Sequence, residues 1–206
     1  MTAPTRSETV ARVCFALSNG IPLHPMIPAG AGAAALPAAL THDPGIYVIH
    51  NHSYAPENRY MGITNDFRNR FAGRQGACFE LGIRQGALMN VDAYIGRVWY
   101  RNVVGFGAGV WNAVALGAYG AVPNMVLDNH NVDFEHLFIK SAQNAFGGHI
   151  TNTNKVGALH NPSAYPINVR ITWNNVALAG LAGGNPPGWA GAHRVAVKIA
   201  AHGNLV

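Results

Sequence analysis

Gly45-Ile46-Tyr47-Val48-Ile49-His50-Asn51 and Arg59-Tyr60-Met61-Gly62-Ile63-Thr64 decide the fold. Both runs are rich in β-branched and aromatic residues, and each carries a tyrosine and a glycine. The segment between them, His52 to Asn58, is polar and contains Pro56. Two such runs about a polar turn read as a β-hairpin over 46–51 and 59–64. Asp43-Pro44 punctuates its start. Asn65 or Asp66 then caps a helix running to about Ala72, with Arg68 and Arg70 on it. Arg70 follows Tyr60 by ten positions.

Working outward, Val91–Arg101 alternates and is rich in Tyr, Trp and Val, so it reads as a third strand. In Asp133–Phe146, Phe134, Leu137, Phe138 and Ile139 fall at helical spacing. Gly147-Gly148 is the stop. Asn168–Val176 and Arg194–Ala200 look like late strands, with a loop over Gly180–Gly191. Before the hairpin, Val10, Val13, Cys14 and Leu17 suggest a short helix that Ser7-Glu8 opens and Gly20 ends. Residues 21–40 are rich in Pro, Ala and Gly and read as an irregular wrap. No internal repeat is visible.

At 206 residues the chain is one domain, or one with an appendage. Charged residues make up 11%, against about 25% in ordinary soluble domains. The net charge is +5, and eleven of fourteen basic residues are Arg. The guanidinium fork matches phosphate geometry, so this balance suits a polyanionic partner. Cys14 and Cys78 are the only cysteines, and their spacing does not demand a disulfide. No secretory signal is legible at the start. The apolar stretch Val103–Leu127 is broken by five glycines, Pro123 and Asn112, so no membrane span is expected.

The pair Gly45-Ile46-Tyr47 and Tyr60-Met61-Gly62, with Arg70 next and Glu135 in a later helix, resembles the GIY-YIG nuclease family. The resemblance covers roughly residues 44–155. It implies an α+β fold with a small mixed or antiparallel central sheet, in the order hairpin, helix, strand, helix. On that frame residues 1–43 are an N-terminal helix and Pro/Ala/Gly-rich extension. Residues 44–155 are the core, with a Gly-rich insertion at 102–130. Residues 156–206 are a β-rich C-terminal extension.

The implied activity is divalent-metal-dependent hydrolysis of phosphodiester bonds in DNA, with Mg²⁺ or Mn²⁺ as cofactor. Such a reaction needs an activated water, stabilised charge on the phosphate and a neutralised leaving oxygen. By resemblance, Tyr47 helps to activate the water and Tyr60 positions a phosphate oxygen. Arg70 stabilises transition-state charge, and Glu135 is the catalytic carboxylate and metal ligand. Gly62 allows close approach to substrate at the strand end. Arg68 and Arg74 are further phosphate-contact candidates. The family's downstream Asn is matched loosely by Asn144, Asn152 and Asn154. Asn154 is carried as the substrate-contact candidate, with the choice among the three open.

Two features depart from the family pattern. Twelve residues separate Tyr47 from Tyr60, slightly more than the commonest spacing. Ile63 stands where some members have Lys. Four other signals are set aside. A second Tyr-Ile-Gly, Tyr94-Ile95-Gly96, falls inside the third strand. His50-Asn51-His52 lacks a ββα-metal unit. Gly105-Phe106-Gly107-Ala108-Gly109 lacks the context of a dinucleotide loop. The cluster Asp128, His130, Asp133, Glu135 and His136 lacks zinc-type spacing.

The biological use is open between an effector toxin, with an inhibitor or immunity protein as partner, and a restriction-type enzyme. A catalytically degenerate nucleic-acid-binding module is the alternative from another class. An intracellular enzyme, or an effector exported without a signal peptide, would fit the start of the chain.

Overall fold

The structure, a computed structural model, describes residues 9–23, 36–52, 58–72, 91–103, 109–120, 122–127, 130–146, 150–152, 167–183, 185–186 and 193–199. Its strands are β1 (Thr9–Ser18), β2 (Ile21–Pro22), β3 (Gly45–Asn51), β4 (Asn58–Thr64), β5 (Val91–Val103), β6 (Asn112–Ala113), β7 (Asn124–Leu127), β8 (His130–Asp133), β9 (Ile167–Val176) and β10 (His193–Ile199). Among the described residues the α-helices α1 (Phe67–Ala72) and α2 (Phe134–Phe146) accompany them. The chain is α+β and dominated by sheet.

Among the described residues one sheet runs in the order β10-β9-β1-β5-β3-β4, and β2 and β6 add short pairings to β5. β1 lies parallel to β9, and the other pairings are antiparallel. The sheet is therefore mixed. β7 and β8 form a separate two-stranded ladder that leads into α2.

The helix expected over residues 7–17 is a strand instead. Thr9–Ser18 is hydrogen-bonded on both sides, to β5 and to β9. The physical reason is burial on both faces. Ala11, Val13, Phe15 and Leu17 belong to one core cluster, while Cys14 and Ala16 belong to another. A strand buried on both faces loses its alternation and becomes a near-continuous apolar run. Such a run also satisfies helical spacing, so period alone misleads. The segments flanking 44–155 thus pair into the same sheet as the hairpin.

The other expected elements stand close to their expected limits. The β3–β4 hairpin pairs Tyr47 with Gly62 and Ile49 with Tyr60. In the Gly-rich 102–130 segment, a 3₁₀ turn at Leu116–Tyr119 puts Tyr119 into the core. There its hydroxyl accepts from the Val98 N–H at 2.8 Å.

α2 covers one face of the sheet through Leu137, Phe138 and Ala142. Phe138 stacks on Trp173 at 5.0 Å and meets Phe15 at 5.0 Å. The opposite face is covered at one end by α1, whose Phe67 and Phe71 pack with Leu23, Leu36, Leu40, Tyr47, Ile49 and Ile95. Farther along that face Leu181 packs on Cys14, Ala16 and Trp99. Burial pushes the Cys14 thiol up to about 12, so it behaves as a core group; it is not in a disulfide. Cys78 lies outside the described residues.

Among the described residues no helix is long and apolar enough to cross a membrane.

Candidate active site

The site begins with a cross-strand pair. Tyr47 faces Gly62 across the hairpin, and a Cβ on Gly62 would lie 2.8 Å from the Tyr47 hydroxyl oxygen. Only glycine lets the phenol lie flat over β4. The Tyr47 ring is fully buried between Phe71, edge-on at 5.7 Å, and Tyr60 at 6.3 Å.

α1 delivers Arg70 to the same point. Its first turn is tied to the chain before the hairpin, because the N–H groups of Phe67 and Arg68 donate to the carbonyls of Asp43 and Thr41. Asp66 caps it by accepting from the Asn69 N–H at 2.8 Å. Slight burial raises the Asp66 carboxyl. The Asn69 N–H and His42 outweigh that and hold it below the ordinary carboxylate range. Arg70 then donates to the Tyr47 hydroxyl from Nε at 2.8 Å and also from Nη2. Its guanidinium carbon lies 5.1 Å from the ring centroid.

These contacts fix the protonation of Tyr47. Burial pushes its pKa well above the ordinary tyrosine value. Arg70 pulls down and the neighbouring Tyr60 and Glu135 push up, and burial wins. At neutral pH the group is a neutral hydroxyl. Both of its lone pairs face guanidinium N–H groups, so its own proton is turned to a third direction.

Glu135 reaches the site around the outer edge of β4. Asp133 caps α2 by accepting from the His136 N–H at 2.9 Å. That places Glu135 in the first turn, where Oε1 accepts from the Ile63 N–H at 3.2 Å. α2 covers the other side of the sheet from Tyr47. The Glu135 charge is nonetheless felt at Tyr47.

The rest of that edge is also clamped. The Asn152 side chain accepts from the Met61 N–H at 3.0 Å and donates to the Met61 carbonyl at 2.7 Å. Thr151 donates to the Arg59 carbonyl through its N–H at 2.8 Å and its hydroxyl at 3.1 Å. An open strand edge would leave these groups to water or to another chain. Here they hold β4 in place against Glu135.

The structure thus brings together Tyr47, Tyr60, Gly62, Arg70 and Glu135. Arg68 is engaged elsewhere, donating from Nη1 to the Leu40 carbonyl at 3.2 Å. Arg74, Asn154 and Asp128 lie outside the described residues. Asn144 is in the last turn of α2, and of the three asparagines Asn152 has described contacts at the hairpin. The clamp on Met61 carried no periodic signal in the sequence; the Thr151-Asn152 polar pair was its only trace. Ile95 of the second Tyr-Ile-Gly packs beside Tyr47, and Gly96 lies so close to the Ala16 carbonyl that a Cβ would come within 2.1 Å. That triplet serves packing.

Among the described residues no three His, Cys, Asp or Glu side chains converge as a metal cage. Among the described residues Glu135 is the carboxylate whose charge is felt at Tyr47. That fits a hard cation of the Mg²⁺ type, which is held by one or two carboxylates together with waters and substrate phosphate oxygens. It does not fit zinc. No family model, curated protein or solved structure matches the chain.

Proposed function

We propose that the protein is a metal-dependent endonuclease of GIY-YIG type that hydrolyses phosphodiester bonds in DNA. The observation that carries this reading is the Tyr47–Arg70 pair, with Glu135 bonded to the neighbouring strand at Ile63 and its charge felt at Tyr47. A buried tyrosine held by an arginine needs no carboxylate nearby for stability. A carboxylate brought around a strand edge to the same point supplies what phosphate chemistry requires.

The residues divide the work as follows. The fork of Arg70 is a donor for a non-bridging phosphate oxygen, stabilising charge as the phosphorus becomes five-coordinate. The neutral Tyr47 hydroxyl, polarised by Arg70, orients the attacking water or passes it a hydrogen bond. Deprotonation of Tyr47 is not the first step, because burial disfavours the phenolate. Tyr60, two residues before Gly62 on the same face, contacts a second phosphate oxygen. Glu135 would hold the divalent cation, which when bound supplies a low-pKa water and neutralises the leaving oxygen. In the overall reaction water adds to phosphorus, one P–O ester bond breaks, and the leaving oxygen takes a proton.

Supercoiled plasmid is the direct substrate for a test. Purified protein should convert it to nicked and linear forms in Mg²⁺ or Mn²⁺, and EDTA should stop the conversion. Intact plasmid across divalent cations, with DNA binding retained, would favour a binding module over an enzyme. Used as an effector toxin, the chain should arrest growth when expressed, and an inhibitor protein should relieve it.

A further inference from the structure

Three arginines form a row across the face of the sheet that carries Tyr47. Arg101 on β5 pairs with Arg12 on β1, and Arg12 pairs with Arg170 on β9. Register partners share a face, and adjacent strands lie about 4.8 Å apart. Like charges placed directly opposite in a sheet are destabilising. Nothing described offsets them. The described carboxylates sit elsewhere: Asp43 and Asp66 at α1, Asp92 at the start of β5, Asp133 and Glu135 at α2.

The donors around this row lack acceptors. Nε of Arg12, Nε of Arg101 and Nε1 of Trp99 are buried with no hydrogen-bond partner. Trp99 pairs with Cys14 in the row immediately next to Arg101 and Arg12. Four neighbouring positions therefore present N–H donors and a thiol, with the Thr172 hydroxyl, register partner of Cys14, beside them. The Arg101 guanidinium stacks over Trp111 at 4.7 Å, which fixes its plane. Desolvation, then the charge of Arg12, lowers the Arg101 pKa, as expected of two cations held close without a counterion. Arg170 is exposed, and Arg12 and Arg101 are half-buried, so the row is open to solvent.

Such an arrangement costs stability in the free protein and is relieved by an anion. We infer that Arg101, Arg12 and Arg170 form a phosphate-backbone track that holds the DNA substrate. The inference rests on the nuclease reading for its occupant. The geometry favours a polyanion over a single phosphate, because the donors span three strands. Ile95 lies beside Tyr47, and Arg101 lies six residues along β5 on the same face, with half-buried Arg97 between them. At about 3.4 Å per residue that is roughly 20 Å.

The test is the salt dependence of binding to a short fluorescent DNA duplex in EDTA, read by anisotropy. Wild type, Arg170→Gln and Arg12→Gln/Arg101→Gln/Arg170→Gln are compared, each checked for folding by circular dichroism. The triple variant should bind at least about tenfold more weakly, with the log–log salt slope reduced by about 2–3. Arg170→Gln, at an exposed position, should lower the slope by about 1, and it decides the matter if the triple variant does not fold. Unchanged affinity and slope in folded arginine variants would overturn the track. So would competition by inorganic phosphate as effective as that by DNA phosphates at equal ionic strength. Wild-type protein that binds with this slope but never cleaves would sink the nuclease reading and leave the track standing. Cleavage with an unchanged KM in the triple variant would do the reverse.

Discussion

Arg70 and Tyr47 act as one unit, and their hydrogen bonds show what each can do. Two N–H groups from a planar fork meet one phenol oxygen. Lysine offers a point charge in place of that fork. Arg70→Lys should therefore fold with little loss, since α1 keeps Phe67 and Phe71 in the core. Its cleavage rate should fall by about 10²–10³-fold, the usual cost of removing one transition-state donor, with KM nearly unchanged. Single-turnover cleavage of a defined oligonucleotide measures this. A rate within a few-fold of wild type would remove Arg70 from the chemistry. At this scale the resemblance to the GIY-YIG pattern was informative: it singled out Tyr47, Tyr60, Gly62, Arg70 and Glu135, which lie on neighbouring elements of the fold. The protonation of Tyr47 was not legible, because it depends on burial by Phe71 and Tyr60 and on a contact between segments 23 residues apart.

β4 is the element on which the site depends. It is the last strand of the sheet order, yet its outward N–H and C=O groups are bonded by Asn152, Thr151 and Glu135. Asn152→Ala strips two of these bonds from Met61. The expected destabilisation is about 1–3 kcal/mol, since the freed groups are part-buried. Activity should fall as well, because β4 carries Gly62 and Tyr60. Urea unfolding together with plasmid cleavage checks both. A variant as stable and active as wild type would contradict the clamp. The hairpin was readable from two alternating runs about a polar turn. The clamp was not, because Asn152 lies 91 positions from Met61 and local pattern cannot see it. β1 failed to read as a strand for a different reason: both of its faces are apolar, so its composition fitted a helix equally well.

Across the whole molecule, two buried tyrosines link folding to alkaline pH. Burial raises both Tyr47 and Tyr119 above the ordinary value. In the unfolded chain each ionises near pH 10. A folded pKa raised above the unfolded one gives stability that is complete below the unfolded value and declines as pH rises past it. The buried Cys14 thiol starts the decline above about pH 8.5, and the thermal unfolding midpoint should fall more steeply above about pH 10, where both tyrosines add to it. The fall should be shallower in Tyr47→Phe. A flat profile to pH 11 in both proteins would contradict burial of these phenols. The mixed sheet order lay beyond the sequence, because β1 joins β5 on one side and β9 on the other, across more than 150 residues of chain.

The central claim is that Glu135 is the carboxylate of a phosphodiesterase site. Glu135→Gln is the sharpest probe, because a glutamine oxygen can still accept from the Ile63 N–H while the charge is lost. The measurement is the initial rate of supercoiled plasmid cleavage in Mg²⁺ by wild type and Glu135→Gln, with their thermal midpoints taken side by side. The account predicts wild-type cleavage, at least about a hundredfold slower in the variant, at nearly equal thermal stability. Cleavage by a folded Glu135→Gln at the wild-type rate would contradict it.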